Sequence, residues 1–241
     1  MIVLIAAMSY SSPTLVEAVR SLGFETVETP PVYGISDNPE AAHADMQVLA
    51  LGEGDIFLLK DHSFLAPQLE ERLLAAGKRI VRTSEGAGDF SYPGCVKLNV
   101  AVVGRYAIGN FKYSDKKLTE RLETLGYKLL NVRQGYAKCS CAVVSDNALI
   151  TSDVSIARAA SENGIDVLEV SPGNIALCES YGGFIGGACF LADKETLAFT
   201  GDLSLHPDHA AIEAFCRCHG VHTLSLADHP LLDIGGIVRI L

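Results

Sequence analysis

The feature that most constrains the fold is a strand–strand–helix–strand pattern that recurs five times along the chain. In the second unit, an apolar run at 46–51 turns at 52–55 into another apolar run at 56–59. A helical pattern follows at 67–77, and a short strand at 79–81 closes the unit. Two apolar runs joined by a short glycine-containing connection are typical of a β-hairpin. A fixed period of about 40 to 50 residues is typical of a repeat architecture.

Units three to five repeat this order, whereas unit one begins without an opening strand. The opening strands of the later units are predicted at 96–103, 139–144 and 184–191. Unit one starts directly with a strand at 2–7, and the C-terminal run 237–241 is a spare strand. We therefore expect 237–241 to pair beside 2–7 and to close residues 1–241 into one α/β domain. Such a ring of five units around a pseudo-five-fold axis has no free sheet edge between its ends; the alternative is an open α/β sheet.

Composition narrows the range of partners. The chain has 241 residues, of which 19 are basic and 29 acidic, for a net charge of −10. Because nucleic-acid binding requires a basic face, we expect no nucleic-acid partner. No apolar run approaches the roughly 20 residues that span a bilayer, so we expect no membrane association. Seven cysteines, an odd number, together with no recognisable secretory segment indicate the reducing cytoplasm.

The first group that could carry chemistry is His43-Ala44-Asp45, at the start of an opening strand. A histidine and a carboxylate two residues apart on a strand face the same side. His43 can then act as both acid and base, and Asp45 can hold a cation or orient the imidazole ring. The alternative is a solvated strand start with no chemical role.

The second group contains Cys139, two units later. The neighbouring Lys138 would lower the pKa of the thiol and favour the reactive thiolate. Alternatively, Cys139 is a small buried hydrophobic residue on its strand, like Cys141. Cys189 is the alternative nucleophile, and it follows a segment, 182–187, with four glycines in six positions. Those glycines either let a ligand approach the backbone or relieve crowding around the axis.

Other segments give weaker signals. The run 216–222 contains cysteines and histidines, but it lacks the second ligand group of a usual zinc site. The sequence has no glycine-rich phosphate loop and no dinucleotide-binding motif. We therefore expect no metal and no organic cofactor. The irregular segment 30–42 predicts either a lid over a binding site or a plain surface loop.

With these groups in this order, the chain resembles the pentein superfamily of guanidine-modifying enzymes. That superfamily includes arginine deiminases, dimethylarginine dimethylaminohydrolases, agmatine deiminases and amidinotransferases. Its members carry a His-x-Asp-like segment and a later Gly-x-x-x-Cys segment, to which 43–45 and 135–139 are similar. The two segments are 139 − 43 = 96 residues, or two units, apart, whereas Cys189 lies three units from His43. In contrast to the family, unit one shows no acid where its strand starts, and unit three has Asn99 there.

The resemblance implies a five-bladed β/α propeller over the whole chain and a cysteine-dependent amidinohydrolase or amidinotransferase. Its substrate would be a small cationic guanidine compound. Cys139 would attack the guanidinium carbon, with His43 as acid and then base. Asp45 would hold the guanidinium nitrogens, with Asn99 and Lys138 as further substrate-binding residues. The alternative is a non-catalytic pentein that binds a protein or ribosomal partner, since the same fold includes a ribosome anti-association factor.

Overall fold

The computed structural model describes residues 4–9, 12–32, 38, 40–52, 54–60, 64–86, 90–178 and 181–241, with only the backbone at Cys178 and Tyr181. The strands and helices, in chain order, are β1 (Leu4–Met8), α1 (Pro13–Ser21), β2 (Phe24–Glu28), α2 (Ala44–Gln47), β3 (Val48–Ala50), β4 (Asp55–Leu58), α3 (Pro67–Ala75), β5 (Arg79–Arg82), β6 (Ala101–Val103), β7 (Tyr106–Gly109), α4 (Lys116–Thr124), β8 (Lys128–Asn131), β9 (Ala142–Ser145), β10 (Ala148–Thr151), α5 (Val154–Ser161), β11 (Asp166–Glu169), β12 (Ala176–Cys178), β13 (Tyr181–Gly182), β14 (Cys189–Leu191), β15 (Thr196–Phe199), α6 (His209–Cys218), β16 (His222–Ser225) and β17 (Ile237–Arg239).

Within the described part of the chain, the strands form five three-stranded sheets and one two-stranded hairpin. The sheets, called blades here, are β17-β1-β2, β3-β4-β5, β6-β7-β8, β9-β10-β11 and β14-β15-β16. In every blade the middle strand pairs antiparallel with the opening strand and parallel with the last one. The opening strands lie side by side around a common axis, because β17 contacts β3 and β14, and β9 contacts β6 and β14. One helix per blade packs on the last strand of that blade.

The helix α4 shows why this local sequence folds as predicted. The Asp115 carboxylate caps its N-terminus by accepting hydrogen bonds from the backbone N–H groups of Lys117 and Leu118, at 3.0 and 3.4 Å. Leu118 and Leu122, four residues apart on one face, are fully buried. Burial of such a side chain stabilises the fold by about 1.5–3 kcal/mol. Gly126 ends the segment with a φ of 79°, which favours glycine.

The chain closes through its C-terminal strand. β17 pairs antiparallel with β1 so that Ala6 lies opposite Arg239 and Met8 opposite Ile237. Beyond β17, Ile5 donates a backbone hydrogen bond to Leu241 at 3.0 Å and accepts one from Ile240 at 2.8 Å. The first blade therefore takes its opening strand from the far end of the sequence. Residues 2 and 3 of the strand predicted at 2–7 lie outside the described residues.

The opening strands start later than the sequence suggested, and this corrects one argument. They begin at residues 48, 101, 142 and 189, whereas the predicted strands began at 46, 96, 139 and 184. The residues before them form helical turns, such as α2 and the 3₁₀ turns Gly94–Val96 and Ile185–Ala188. His43 and Asp45 therefore do not share a strand face, because His43 caps α2 and Asp45 lies in its first turn. Apolar residues are buried around the axis in either conformation, so periodicity does not distinguish a turn from a strand here.

Two further features complete the fold. The hairpin of β12 and β13 lies between the fourth and fifth blades and was not predicted. The segment 30–42 is described only in part, without 33–37 and 39, so its predicted role as a lid lies largely outside the described residues.

Helices in the described ranges have at most ten residues, and none is long and apolar enough to cross a membrane.

Candidate functional site

The residues just before the five opening strands meet at one end of the axis. Five of them are buried there, one from each blade: Asp45, Asn99, Cys139, Gly187 and Asp233. We call His43 together with Asp45, Asn99, Cys139 and Asp233 the polar layer. Four of the five blades contribute to this layer, and Gly187 of the fifth blade packs against Asp233, so the geometry of the layer depends on the closed ring.

A circuit of hydrogen bonds joins the five blades at this level. The Asn99 amide donates to the backbone oxygen of Asp45 at 3.4 Å and accepts from the backbone N–H of Cys139 at 3.2 Å. The Cys139 carbonyl accepts from the Gly187 N–H at 3.0 Å, and the Gly187 carbonyl accepts from Gly236 at 2.7 Å. The circuit closes where the N–H of Asp45 donates to the Gly235 carbonyl at 3.1 Å. The circuit thus fixes the residues of the polar layer relative to one another.

The Cys139 thiol lies at the centre of this layer and is 3% exposed. It donates a hydrogen bond to Asp45 Oδ2 at 3.0 Å and accepts one from Asn99 Nδ2 at 3.0 Å. Burial, followed by the nearby charges of Asp45 and Asp233, raises the pKa of the thiol well above its usual range. The expectation that Lys138 lowers the pKa of Cys139 is therefore wrong in this state. The ammonium group of Lys138 instead lies 3.5 Å from the Gly186 carbonyl.

The Asp45 carboxylate is fully buried but only partly hydrogen-bonded. It is 1% exposed, and its Oδ1 has no hydrogen-bond partner there. Burial raises its pKa to about 7, an effect that the charge of Lys138 partly offsets. A buried polar atom without a partner is costly. A cationic group that donates to Asp45 Oδ1 would remove this cost.

His43 lies next to Asp233. Its Nδ1 is 3.8 Å from Asp233 Oδ1, which is too long for a hydrogen bond but close enough for electrostatic attraction. Burial lowers the pKa of His43, while Asp233 and Glu40 oppose that shift. Asp233 itself is held by the backbone N–H groups of Phe184 and Gly235, both at 2.9 Å.

Asp233 was missed by the sequence analysis. The N-terminal strand, where unit one begins in sequence, has no acid at its start, and this led to the expectation that the unit lacks one. The opening strand of that unit is β17, and Asp233 precedes it by four residues. A useful signal was therefore present, since Asp233 stands just before Gly235-Gly236 and the predicted strand 237–241.

The glycine-rich segment 182–187 relieves crowding around Asp233. A Cβ atom at Gly183 or Gly187 would overlap the Asp233 side chain, and one at Gly186 would overlap the carbonyl oxygen of Cys141. Gly235, with a φ of 76°, leaves no room for a Cβ beside His43. The structure therefore favours the crowded-axis explanation of these glycines.

Cys189, the alternative nucleophile, lies away from these contacts. It is the first residue of β14, is 2% exposed and forms no side-chain hydrogen bond to the polar layer within the described ranges. Burial raises its pKa to about 12. Its surroundings provide neither the Asp45 contact nor the Asn99 contact of Cys139.

A cavity of about 220 Å³ runs along the axis beneath the polar layer, and we call it the axial cavity. The end of the cavity at the polar layer is lined by Asp45, which is buried, and by Lys138, which is partly buried. Its walls come from the opening strands and their neighbours, and they are almost entirely apolar: Val48, Leu49, Ala50, Val100, Val102, Val143, Cys189, Phe190, Leu191, Leu197, Ile237 and Val238. Arg239, which is exposed, lies at the outer end.

A third carboxylate, Glu40, and a row of aromatic rings lie next to the polar layer. Tyr136 stacks on Tyr92 and on Phe184, with ring centroids 5.6 and 5.9 Å apart. Burial raises the pKa of Glu40, which hydrogen-bonds to Tyr136 and lies near His43 and Asp233. Groups of three or more His, Cys, Asp or Glu side chains placed to hold a metal ion are not found among the described residues.

Comparison with solved structures identifies the fold. The chain aligns over 99% of its length with the whole of a DDAH from Pseudomonas aeruginosa, solved as a mutant complexed with citrulline, at 11% identity and a TM-score of 0.57. It also aligns over 98% of its length with 94% of an amidinotransferase of saxitoxin biosynthesis from Microseira wollei, at 9% identity and a TM-score of 0.59. An agmatine deiminase from C. jejuni matches with 10% identity, 98% coverage of this chain, 92% coverage of that chain and a TM-score of 0.54. The predicted pentein fold is therefore confirmed.

Sequence comparison places the chain in a family. The search of curated proteins found no match. The sequence model of a family of unknown function, DUF6873, matches residues 7–238. The chain therefore belongs to the family of unknown function DUF6873 and has the pentein fold that it shares with guanidine-modifying enzymes.

Proposed function

We propose that this protein is a cysteine-dependent amidinohydrolase or amidinotransferase that acts on a small cationic guanidine compound. The observation that carries the proposal is the contact between Cys139 and Asp45. One oxygen of this buried carboxylate accepts from the thiol, and the other has no partner within the described ranges. A guanidinium group that donates to the second oxygen would bring its carbon next to the sulfur. The pentein fold shared with guanidine-modifying enzymes supports the same chemistry.

The raised pKa of Cys139 has a direct consequence for this mechanism. Without a cation, the charges of Asp45 and Asp233 oppose formation of the thiolate. A bound guanidinium brings a positive charge to Asp45, and a nearby opposite charge favours an ionised thiol. The substrate therefore activates the nucleophile that attacks it, while the resting thiol stays protonated and unreactive.

The reaction then proceeds in two steps. Cys139 Sγ forms a bond to the guanidinium carbon, one C–N bond breaks, and His43 passes the thiol proton to the departing nitrogen. An amidino group remains on the sulfur as a thiouronium. His43 then removes a proton from water, whose oxygen attacks the same carbon, and the C–S bond breaks to release a urea-type product. In a transferase, an acceptor amine takes the place of water.

The other residues of the polar layer have supporting roles in this proposal. The charge of Asp233 favours the protonated form of His43, in opposition to burial. Asn99 holds both the sulfur and the backbone N–H of Cys139. The described cysteines with resolved side chains are free thiols, which supports action in the reducing cytoplasm.

A specific observation favours a second candidate, a non-catalytic pentein that binds a protein or ribosomal partner. Both Cys139 and Cys189 are nearly inaccessible, at 3% and 2% exposed. Burial raises the pKa of each thiol. In this second function the polar layer only holds the blades together, and no small cation reaches it.

Labelling with a haloacetamidine distinguishes the two functions, because this reagent combines an amidinium cation with an alkylating carbon. We expect mass spectrometry to show one modification, at Cys139, that is lost in Cys139→Ser and kept in Cys189→Ser. Iodoacetamide, which is neutral, serves as the matched control and should label Cys139 far more slowly. Equal labelling by both reagents, or no labelling of Cys139, would argue for the binding module.

A further inference from the structure

We propose that the axial cavity holds the substituent of the substrate, and that this substituent is a short unbranched apolar chain ending in a carboxylate. The substrate class is then the ω-guanidino carboxylic acids, of which 4-guanidinobutyrate is a representative. This inference rests on the proposed function and names the substrate class for the same site.

At the inner end of the cavity the Asp45 carboxylate fits the guanidinium group, while the Lys138 ammonium, which lines the same end, is directed to the Gly186 carbonyl at 3.5 Å. Asp45 lines this end, and its Oδ1 has no hydrogen-bond partner within the described ranges. The second oxygen of the same carboxylate contacts the Cys139 thiol. In this proposal, a guanidinium group at the inner end of the cavity donates to the free oxygen and thereby lies beside the nucleophile.

The walls fit a hydrocarbon chain. Apart from the thiol of Cys189, the residues between the two ends of the cavity have only apolar side chains. Asp45 is the one acidic residue in the lining, so the cavity provides no partner for the α-ammonium group of an amino acid. At the outer end, such an ammonium group would instead lie beside the like charge of Arg239. Arginine itself is therefore a poor occupant.

The outer end fits a carboxylate. The strands become more exposed towards this end, where Ala50, Val102 and Leu191 are partly exposed and Arg239 is exposed. Arg239 has no ion pair within the described ranges and lines the cavity. A guanidinium group recognises a carboxylate with two parallel hydrogen bonds and repels an ammonium group.

The size of the cavity limits the length of the chain. A volume of about 220 Å³ equals the share of roughly seven water molecules in the liquid. The two residues from Ile237 to Arg239 rise by about 7 Å along β17, a distance that a chain of roughly three to five methylene groups spans. A linear guanidino acid of this length fits, whereas a branched or cyclic substituent is too wide for the lining.

The test is calorimetry on the Cys139→Ala protein, which binds substrates without consuming them. The probes are 4-guanidinobutyrate, butylguanidine and agmatine, which share one guanidinium head and differ only at the far end. We expect 4-guanidinobutyrate to bind at least tenfold more tightly than agmatine, with butylguanidine in between. Arg239→Met should abolish the preference for the carboxylate and leave butylguanidine binding within about twofold.

A second variant tests the location of the chain. Val102→Phe fills the cavity near its outer end and should weaken both 4-guanidinobutyrate and butylguanidine, while free guanidinium binds as before. Thermal unfolding of each variant checks that it folds. If Val102→Phe does not fold, the test depends on Arg239→Met, which changes an exposed residue. Agmatine or arginine binding as tightly as 4-guanidinobutyrate, or no effect of Arg239→Met, would overturn this inference.

The outcomes separate this inference from the proposed function. If the unmodified protein releases ammonia or urea from guanidines without preference for the carboxylate, the proposed function stands and this inference fails. If 4-guanidinobutyrate binds with the expected preference but no product forms, the cavity assignment stands and the catalytic proposal fails. If no guanidine binds and none is converted, both are wrong.

Discussion

The two halves of the axis differ sharply although the same five blades build both. The polar layer holds a histidine, two carboxylates, an amide and a thiol, all buried and nearly all hydrogen-bonded. The axial cavity directly below has apolar walls from the opening strands. The repeated strands thus supply a uniform scaffold, and the buried polar side chains lie in the irregular turns that precede them. A repeat fold can therefore acquire a buried polar layer without disturbing its strands.

The largest effect expected from this difference concerns the two thiols. Cys139 belongs to the polar layer, whereas Cys189 lines the cavity. Cys139→Ala should lower turnover of a guanidine substrate by about 10³-fold or more, because loss of a nucleophile usually costs several powers of ten. Cys189→Ala should change it by less than about tenfold. Steady-state release of ammonia or urea measures both, and a reversed order would identify Cys189 as the nucleophile.

The second effect concerns the free energy of unfolding, which burial of Asp45 as an anion lowers. Its pKa of about 7 lies above its ordinary value of 3.8. The stability that the protonated group contributes is therefore complete below about pH 4 and is lost as the pH rises towards 7. With about 1.4 kcal/mol per pKa unit, Asp45→Asn should raise the free energy of unfolding at pH 8 by up to about 4 kcal/mol, and by less at pH 5. Urea denaturation at the two pH values measures the difference.

Asp153 provides a control of opposite sign. Its carboxylate caps α5 through the backbone N–H groups of Ser155 and Ile156, at 2.9 and 3.0 Å. Those contacts lower its pKa against the opposing effect of burial. Asp153→Asn should therefore not stabilise the protein at pH 8. If Asp45→Asn and Asp153→Asn change the free energy of unfolding alike, burial does not distinguish Asp45, and water reaches the polar layer.

The third effect tests the crowding around Asp233. A Cβ at Gly187 would overlap the Asp233 carboxylate, whereas one at Gly52 would meet nothing within 4 Å. Gly187→Ala should destabilise the protein by about 1–3 kcal/mol, as overpacking does, and should also displace Asp233 from His43. Gly52→Ala is the matched control and should be near neutral. A tolerated Gly187→Ala would show that the polar layer is looser than the backbone circuit indicates.

The smallest effect is a pH dependence of cation binding. Ionised Asp45 attracts a guanidinium, so affinity should rise roughly tenfold from pH 6 to pH 8 as the carboxylate titrates around pH 7. The neighbouring groups are His43, Glu40, Asp233 and Lys138. Calorimetry with butylguanidine on the Cys139→Ala background measures this rise, which Asp45→Asn should remove. If Glu40→Gln removes it instead, Glu40 is the group that titrates.

The sequence predicted the blades well because each one repeats strong local signals. A hairpin, a capped amphipathic helix and a terminating glycine recur, as in the segment that ends at Gly126. The starts of the opening strands were placed too early, because an apolar residue such as Met46 is buried in a helical turn as well as in a strand. Only the packing of all five blades decides between the two conformations.

The site was predicted in part for a related reason. The sequence spacing suggested that Cys139 meets the segment 43–45, and in the structure the Cys139 thiol contacts Asp45 of that segment. The electrostatic prediction for Lys138 failed because adjacency in sequence says nothing about where a long side chain points. Asp233 was overlooked because its partner His43 is 190 residues away, 233 − 43. A search for strand starts in the closed ring, rather than in the linear chain, would have found it.

The pairing of β1 with β17 also sets the order in which the molecule can be assembled. Met8 and Ile237 are opposite each other, and contacts between such distant positions form slowly because a long loop must first close. On the ribosome, four blades can form while β1 still has an open edge, and Asp233 arrives only with the last turn and strand. A prematurely terminated chain therefore retains Cys139 but lacks the carboxylate beside His43. The Cys139 thiol therefore acquires its complete surroundings only when the ring closes.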